Sequence, residues 1–118
     1  MKEKAFRLRG DEIREIAPRR GACIASDEIT VGGKRVGYMY REEPCNEVDS
    51  GWRFFSGSES QDFVDDAENL AFYDVNTIAN YDPEIVELLD SPLGAAFERD
   101  ASGQFVAIEF PDEPEDSA

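Results

Sequence analysis

Two short runs of alternating side chains constrain this chain more than any other part of it. In residues 36–41, Val36, Tyr38 and Tyr40 alternate with Gly37, Met39 and Arg41. In residues 51–56, Trp52 and Phe54 alternate with Arg53 and Phe55. Neighbouring side chains of a strand point to opposite faces, so the two runs together deliver aromatic groups to both sides of a sheet. Aromatic and β-branched side chains favour that pleated, half-buried setting. The chain therefore has to build a sheet and find a cover for one of its faces.

The remaining segments supply the cover and further strands. An edge strand is expected at residues 5–8. Asp11 suits the N-cap of a short helix with Ile13, Ile16 and Ala17 on one side, stopped by Pro18. Ala22–Ser26 is an apolar strand. Residues 29–31 and 34–41 flank Gly32-Gly33 and read as a hairpin, because paired glycines supply the positive φ angles of a two-residue turn. Residues 42–49 form a polar loop containing Pro44. Residues 57–69 are polar and acidic, with Phe63 and Val64 anchoring a helical turn; a strand at 70–75 and a helical turn at 76–80 follow.

Asp82-Pro83-Glu84 opens a helix, with an acidic cap, proline at the first position and a glutamate in the first turn. Ile85, Leu88 and Leu89 give it a core side, and Ser91-Pro92 ends it. Residues 95–99 and 104–110 make a final hairpin joined by residues 100–103. The predicted class is α+β: a single domain over residues 1–110, with a largely antiparallel sheet and short helices packed on it. Residues 111–118 read as an acidic, disordered tail.

Charge narrows the function. The 118 residues hold 12 Lys and Arg against 27 Asp and Glu, a net charge of −15. Lys2, Lys4, Arg7, Arg9, Arg14, Arg19 and Arg20 crowd the N-terminal segment, whereas beyond Arg41 only Arg53 and Arg99 are basic. Such a surface repels phosphate backbones, so direct nucleic-acid binding is not expected. It attracts a basic protein and speeds the encounter, although the same charge also serves solubility. No secretory signal and no membrane-spanning apolar stretch is visible, which makes the cytoplasm the expected location.

The chain contains no histidine, which removes every histidine-dependent nucleophile, general base and metal site. No glycine run resembles a phosphate-binding loop, and Asp65, Asp66 and Glu68 lack the arrangement of an EF-hand. Cys23, in an apolar run, reads as a small buried hydrophobe. Cys45, in a polar loop, is the one thiol placed to act as a nucleophile if the chain were an enzyme. No catalytic residue, metal ligand or cofactor is expected.

Arg53 stands in an aromatic strand where other cations are scarce. A buried guanidinium needs a carboxylate, and Asp49 or Asp74 can serve; the alternative is an arginine that contacts a partner. Tyr38, Tyr40, Trp52, Phe54 and Phe55 carry the same two readings, core or contact surface on an open sheet face. Asn76, Asn80 and Asp82 suit caps and turns.

The succession Gly21-Ala22-Cys23-Ile24-Ala25-Ser26-Asp27, Val36-Gly37-Tyr38-Met39-Tyr40-Arg41-Glu42, Asp49-Ser50-Gly51-Trp52-Arg53-Phe54-Phe55-Ser56-Gly57 and Asn76-Thr77-Ile78-Ala79-Asn80-Tyr81-Asp82-Pro83 resembles the bacterial immunity protein thirty-three-like family. The resemblance spans residues 21–99 and implies a non-enzymatic protein that binds and neutralises a toxin domain. A basic toxin domain would suit the acidic surface. The partner-binding candidates are Tyr38, Tyr40, Arg41, Glu42, Glu43, Trp52, Arg53, Asp62, Asp65 and Asp66. The competing reading is a small cytoplasmic regulatory domain that binds a ligand or another protein, its glycines and aromatics lining a pocket.

Overall fold

The computed structural model describes residues 6–8 and 10–110. Its strands are β1 (Ala22–Ser26), β2 (Tyr38–Arg41), β3 (Asp49–Phe55), β4 (Leu70–Asp74), β5 (Ala96–Arg99) and β6 (Phe105–Ala107). They form one sheet in the order β4-β1-β3-β2-β5-β6. Only the central β1–β3 pairing is parallel; the others are antiparallel, as the composition of hairpins and short helices predicts. The fold is α+β. No helix among the described residues is long and apolar enough to cross a membrane.

Three short helices, α1 (Asp27–Thr30), α2 (Gln61–Asp65) and α3 (Val75–Tyr81), are joined by 3-10 turns at Gly10–Glu12, Ala67–Asn69 and Pro83–Leu88. Helices this short do not stand on propensity, so each start is fixed by a side-chain cap. Ser26 accepts from the Glu28 amide, Ser60 from Phe63, Asp74 from Asn76, and Asp82 from Glu84. The helix expected at Asp82-Pro83-Glu84 is the 3-10 turn, which buries Ile85 and, at its C-cap, Leu89, while Leu88 is half-buried.

Three expectations are overturned. The hairpin at residues 29–41 does not form: Ile29 and Thr30 lie in α1, and β2 pairs instead with β3 and β5. Gly32-Gly33 ends the helix. The amides of Val31 and Gly32 return to the Asp27 carbonyl and that of Gly33 to Ile29, with Gly33 at φ 77°. Ser26 as a cap outweighs the β-branched side chains that follow it.

The helix expected from Asp11 is likewise replaced by the 3-10 turn Gly10–Glu12 and an extended segment. Asn76 Oδ1 accepts from the amides of Ile16 and Ala17 at 2.7 Å, and Asn80 Oδ1 accepts from Arg14 at 2.9 Å. Both Asn side chains donate back to the Arg14 carbonyl. These amides are satisfied by α3 rather than by a helix of their own. Residues 6–8 are not a strand. The rest of that expected strand and the tail at 111–118 lie outside the described residues.

The core lies between the sheet and the layer of α1, α3 and the turn Pro83–Leu88. It comprises Cys23, Ala25, Met39, Trp52 and Phe54 from the strands, met by Ile29, Val75, Ile78, Ala79, Ile85 and Leu89. Trp52 is 1% exposed, stacks on Phe54 with centroids 5.9 Å apart, and donates its indole N–H to the Leu89 carbonyl at 3.3 Å. Trp52 and the segment beginning at Pro83 thus share one core.

Candidate functional site

Strand β3 carries the site because it is bent. Gly51 sits in the middle of it at φ 92°, where the register with β1 slips between Ala22 and Ile24. That is a β-bulge, and it re-aims the side chains around it. Asp49 thereby meets Arg53, its oxygens taking Nη1 at 2.9 Å and Nη2 at 2.8 Å. Arg53 Nε donates to Glu42 at 2.5 Å and Nη1 also donates to the Trp52 carbonyl at 3.1 Å. Asp49 takes two further amides, from Cys45 and Gly51. The Arg53 hydrogen bond outweighs burial and holds the Asp49 carboxyl below the usual carboxylate range. Burial alone would lower the Arg53 value, but Asp49 and Glu42 raise it.

Between the two acidic partners considered for Arg53, the structure selects Asp49. Asp74 caps α3. Ser50 completes the strand's anchoring: its hydroxyl donates to the Ala22 carbonyl at 2.7 Å and accepts from the Trp52 amide.

The sheet has a second face, and the registers define it. Phe72, Ile24, Arg53, Tyr40 and Ala96 form one row across five strands. Phe55, Tyr38, Glu98 and Val106 form a second, with Leu70 opposite Ser26 beyond β3. No α1 or α3 residue covers this side. Phe72 is 53% exposed and Val106 42%.

A groove of about 420 Å³ opens on this face. It is lined by Tyr38, Tyr40, Glu42, Phe55, Gly57, Glu59, Val64, Leu70 and Phe110. Tyr38, Tyr40 and Phe55 form a triangle with centroids 5.6–6.1 Å apart, and Phe110 meets Tyr40 edge-on at 5.7 Å. Glu59 is fixed at the wall: its carboxylate accepts from the Ser56 amide at 2.8 Å, the Ser56 hydroxyl at 3.0 Å and the Gly57 amide at 3.0 Å. Burial would raise its pKa, yet hydrogen bonds from Ser26, Ser56 and Gly57 bring it below the ordinary value. Tyr38 moves the other way, pushed up by burial and by Glu98, which keeps it a neutral phenol.

The sequence candidates divide between the two faces. Tyr38, Tyr40 and Glu42 converge on the groove. Glu43 is exposed on the connection between β2 and β3, Asp62 and Asp65 are exposed on α2, and Asp66 is exposed at the C-cap of that helix. Trp52 belongs to the core, and Arg53, 4% exposed, is enclosed by Asp49 and Glu42; both side chains are buried. Arg41 points to the helix side, bonded to the carbonyls of Ser50 and Ser91 and lying 5.7 Å from the Trp52 ring centroid. Among the described residues no three acidic or cysteine side chains converge on a metal-sized site.

Glu59, Leu70, Val64 and Phe110 were not identified from the sequence. Phe55 is a contact candidate in the sequence only through its place among the alternating residues 52–55. Leu70 reaches the groove through strand order, and Phe110 through the segment that follows β6. Comparison with known proteins adds one finding. The family model described as Immunity protein Imm33 domain matches residues 23–109. No curated protein and no solved structure gives a match.

Proposed function

The chain belongs to the Imm33 immunity protein domain family, and on that premise we propose that it binds and neutralises a bacterial toxin domain through the open face of its sheet. Neutralisation is by occlusion, without chemistry of its own, and takes place in the cytoplasm. The observation that carries this reading is the groove: three mutually packed aromatic rings and two fixed glutamates on the sheet face opposite α1 and α3. Aromatic anchors inside a polar rim have the composition of an interface hot spot. The net charge of −15 favours encounter with a basic toxin domain.

The test is co-expression with a toxin-like open reading frame, should one lie beside this gene. The protein should rescue growth and co-elute with the toxin domain on a sizing column. Tyr38→Arg on the open face should abolish both, whereas Glu87→Arg on the helix side should leave both intact. Absence of rescue and of a complex, with both proteins soluble, would remove this reading for that pair.

A second reading draws on the same groove. Its volume of about 420 Å³ falls within the range of small-molecule sites. A regulatory domain of that kind would show a raised melting temperature with its ligand, because a ligand bound only to the native state stabilises it. A flat response across nucleotides, sugars and amino acids counts against it.

A further inference from the structure

We infer that the groove on the open face receives one guanidinium group, an arginine side chain presented by a basic protein segment. The inference rests on the toxin-binding reading only for the identity of the protein that carries the arginine.

The walls come first. Tyr38, Tyr40 and Phe55 pack into a triangle, and Phe110 closes one side edge-on to Tyr40. Aromatic faces carry negative quadrupole charge and attract a cation that comes within about 6 Å of a ring centroid. An aromatic groove by itself would also take an apolar side chain, so the ionised groups decide.

Two glutamates, Glu42 and Glu59, line the same groove. Glu59 is held as a carboxylate by the donors of Ser56 and Gly57. The cation beneath is Arg53, and its donors are already spent on Asp49, Glu42 and the Trp52 carbonyl. The ionised side chains that line the groove are thus two carboxylates, of which Glu42 alone is paired with Arg53; Lys34, which reaches the Ser58 hydroxyl next to Glu59, is itself paired with Glu28. The local field is negative, which repels an anionic ligand and leaves a neutral apolar one beside charges it cannot satisfy.

Between the two cationic side chains, arginine fits better. Its guanidinium is planar and weakly hydrated, so it stacks on rings while its N–H fork bonds carboxylates. A lysine ammonium is compact and strongly hydrated and gains less from the rings. The surroundings favour a protein carrier over a free small molecule. Ile24, Phe72 and Val106 extend the same face beyond the groove, with Phe72 and Val106 exposed, and provide contact area that a small molecule would leave unused.

The experiment is a nitrogen-15 NMR titration of the full chain with N-acetyl-arginine amide, N-acetyl-citrulline amide and N-acetyl-lysine amide. Citrulline keeps the shape of arginine and removes its charge. The arginine probe should shift the amides of Tyr38, Tyr40, Phe55 and Gly57, with the citrulline probe about tenfold weaker. Tyr38→Leu should weaken the arginine probe by a similar factor while the spectrum remote from the groove stays unchanged. Equal affinity for arginine and citrulline, tighter binding of lysine, or shifts that map elsewhere would overturn the inference. The two readings separate cleanly. Arginine-selective shifts in a protein that fails to rescue cells uphold the groove assignment and remove the toxin reading. Rescue by wild type and Tyr38→Leu alike, without groove shifts, does the reverse.

Discussion

Asp49 holds Arg53 through both carboxylate oxygens although the two residues stand four apart on one strand. A straight strand would place their backbones about 13 Å apart, at about 3.3 Å per residue. The bulge at Gly51 shortens that path and sends both side chains to the same place. The stretch Asp49-Ser50-Gly51-Trp52-Arg53 is thus one device: an ion pair, a bulge and a core anchor.

Removing one member of a buried pair strands the other. Arg53→Met is expected to cost about 3–5 kcal/mol in urea unfolding. The double variant Asp49→Leu/Arg53→Met should recover part of that loss, because no buried carboxylate is left behind. Costs that simply add across the cycle would show that the two residues are not coupled.

Acid should expose the same pair. Asp49 is depressed in the folded state chiefly by its hydrogen bonds with Arg53. A depressed carboxyl contributes stability that is fully present above its unfolded pKa, about 3.9, and is lost as pH falls through the folded value. Arg53 stays charged throughout and adds no slope in that window. Other carboxylates, Glu59 among them, shift the same way, so the measurement is a difference. The stability gap between wild type and Asp49→Asn should narrow as pH drops below about 4. A gap unchanged down to pH 2 would contradict the assignment.

Gly51→Ala should fail for a local reason. A Cβ at this position would lie 2.2 Å from the Glu42 carbonyl oxygen, and φ is 92°. The atom it meets is backbone of the paired strand's end rather than a flexible side chain, and only glycine adopts this φ readily, so a loss of about 1–3 kcal/mol is expected. Chemical denaturation reads it directly; a stability equal to wild type would mean that the bulge is dispensable.

Trp52 anchors the sheet to the segment after Pro83. Trp52→Ala should cost about 3–5 kcal/mol. Trp52→Phe should cost less, since it keeps the stacking on Phe54 and gives up mainly the bond to the Leu89 carbonyl. An alanine variant as stable as wild type would place Trp52 outside the core.

Binding kinetics test the charge. With a cognate basic partner in stopped flow, the association rate should fall steeply with salt while dissociation changes little. Neutralising the exposed Glu43, Asp62, Asp65 and Asp66 should slow capture, and deleting residues 111–118 should leave it nearly unchanged. A salt-independent association rate, or a large loss from the tail deletion alone, would overturn the assignment of these side chains.

Local chemistry determined a good deal of this protein on its own. Alternation in residues 51–56 placed Trp52 and Phe54 on one face of β3 and Arg53 and Phe55 on the other. Asp82-Pro83 marked a helical start, and residues 100–103 marked the last turn between β5 and β6. These features depend on neighbours within a few residues, so short windows contain them. The tertiary structure decided the rest. Gly32-Gly33 suits a hairpin turn or a helix end, and the cap at Ser26 together with the distant partners of β2 selected the helix. Asn76 and Asn80 took the backbone of residues 14–17 because α3 lies against it. Which face stayed open was settled by strand order, which sets Leu70 and Phe110 along the same groove as Tyr38 and Tyr40. A pairing between residues far apart in the chain is decided by the surface it buries against the loop it closes, and neither quantity is contained in the segments themselves.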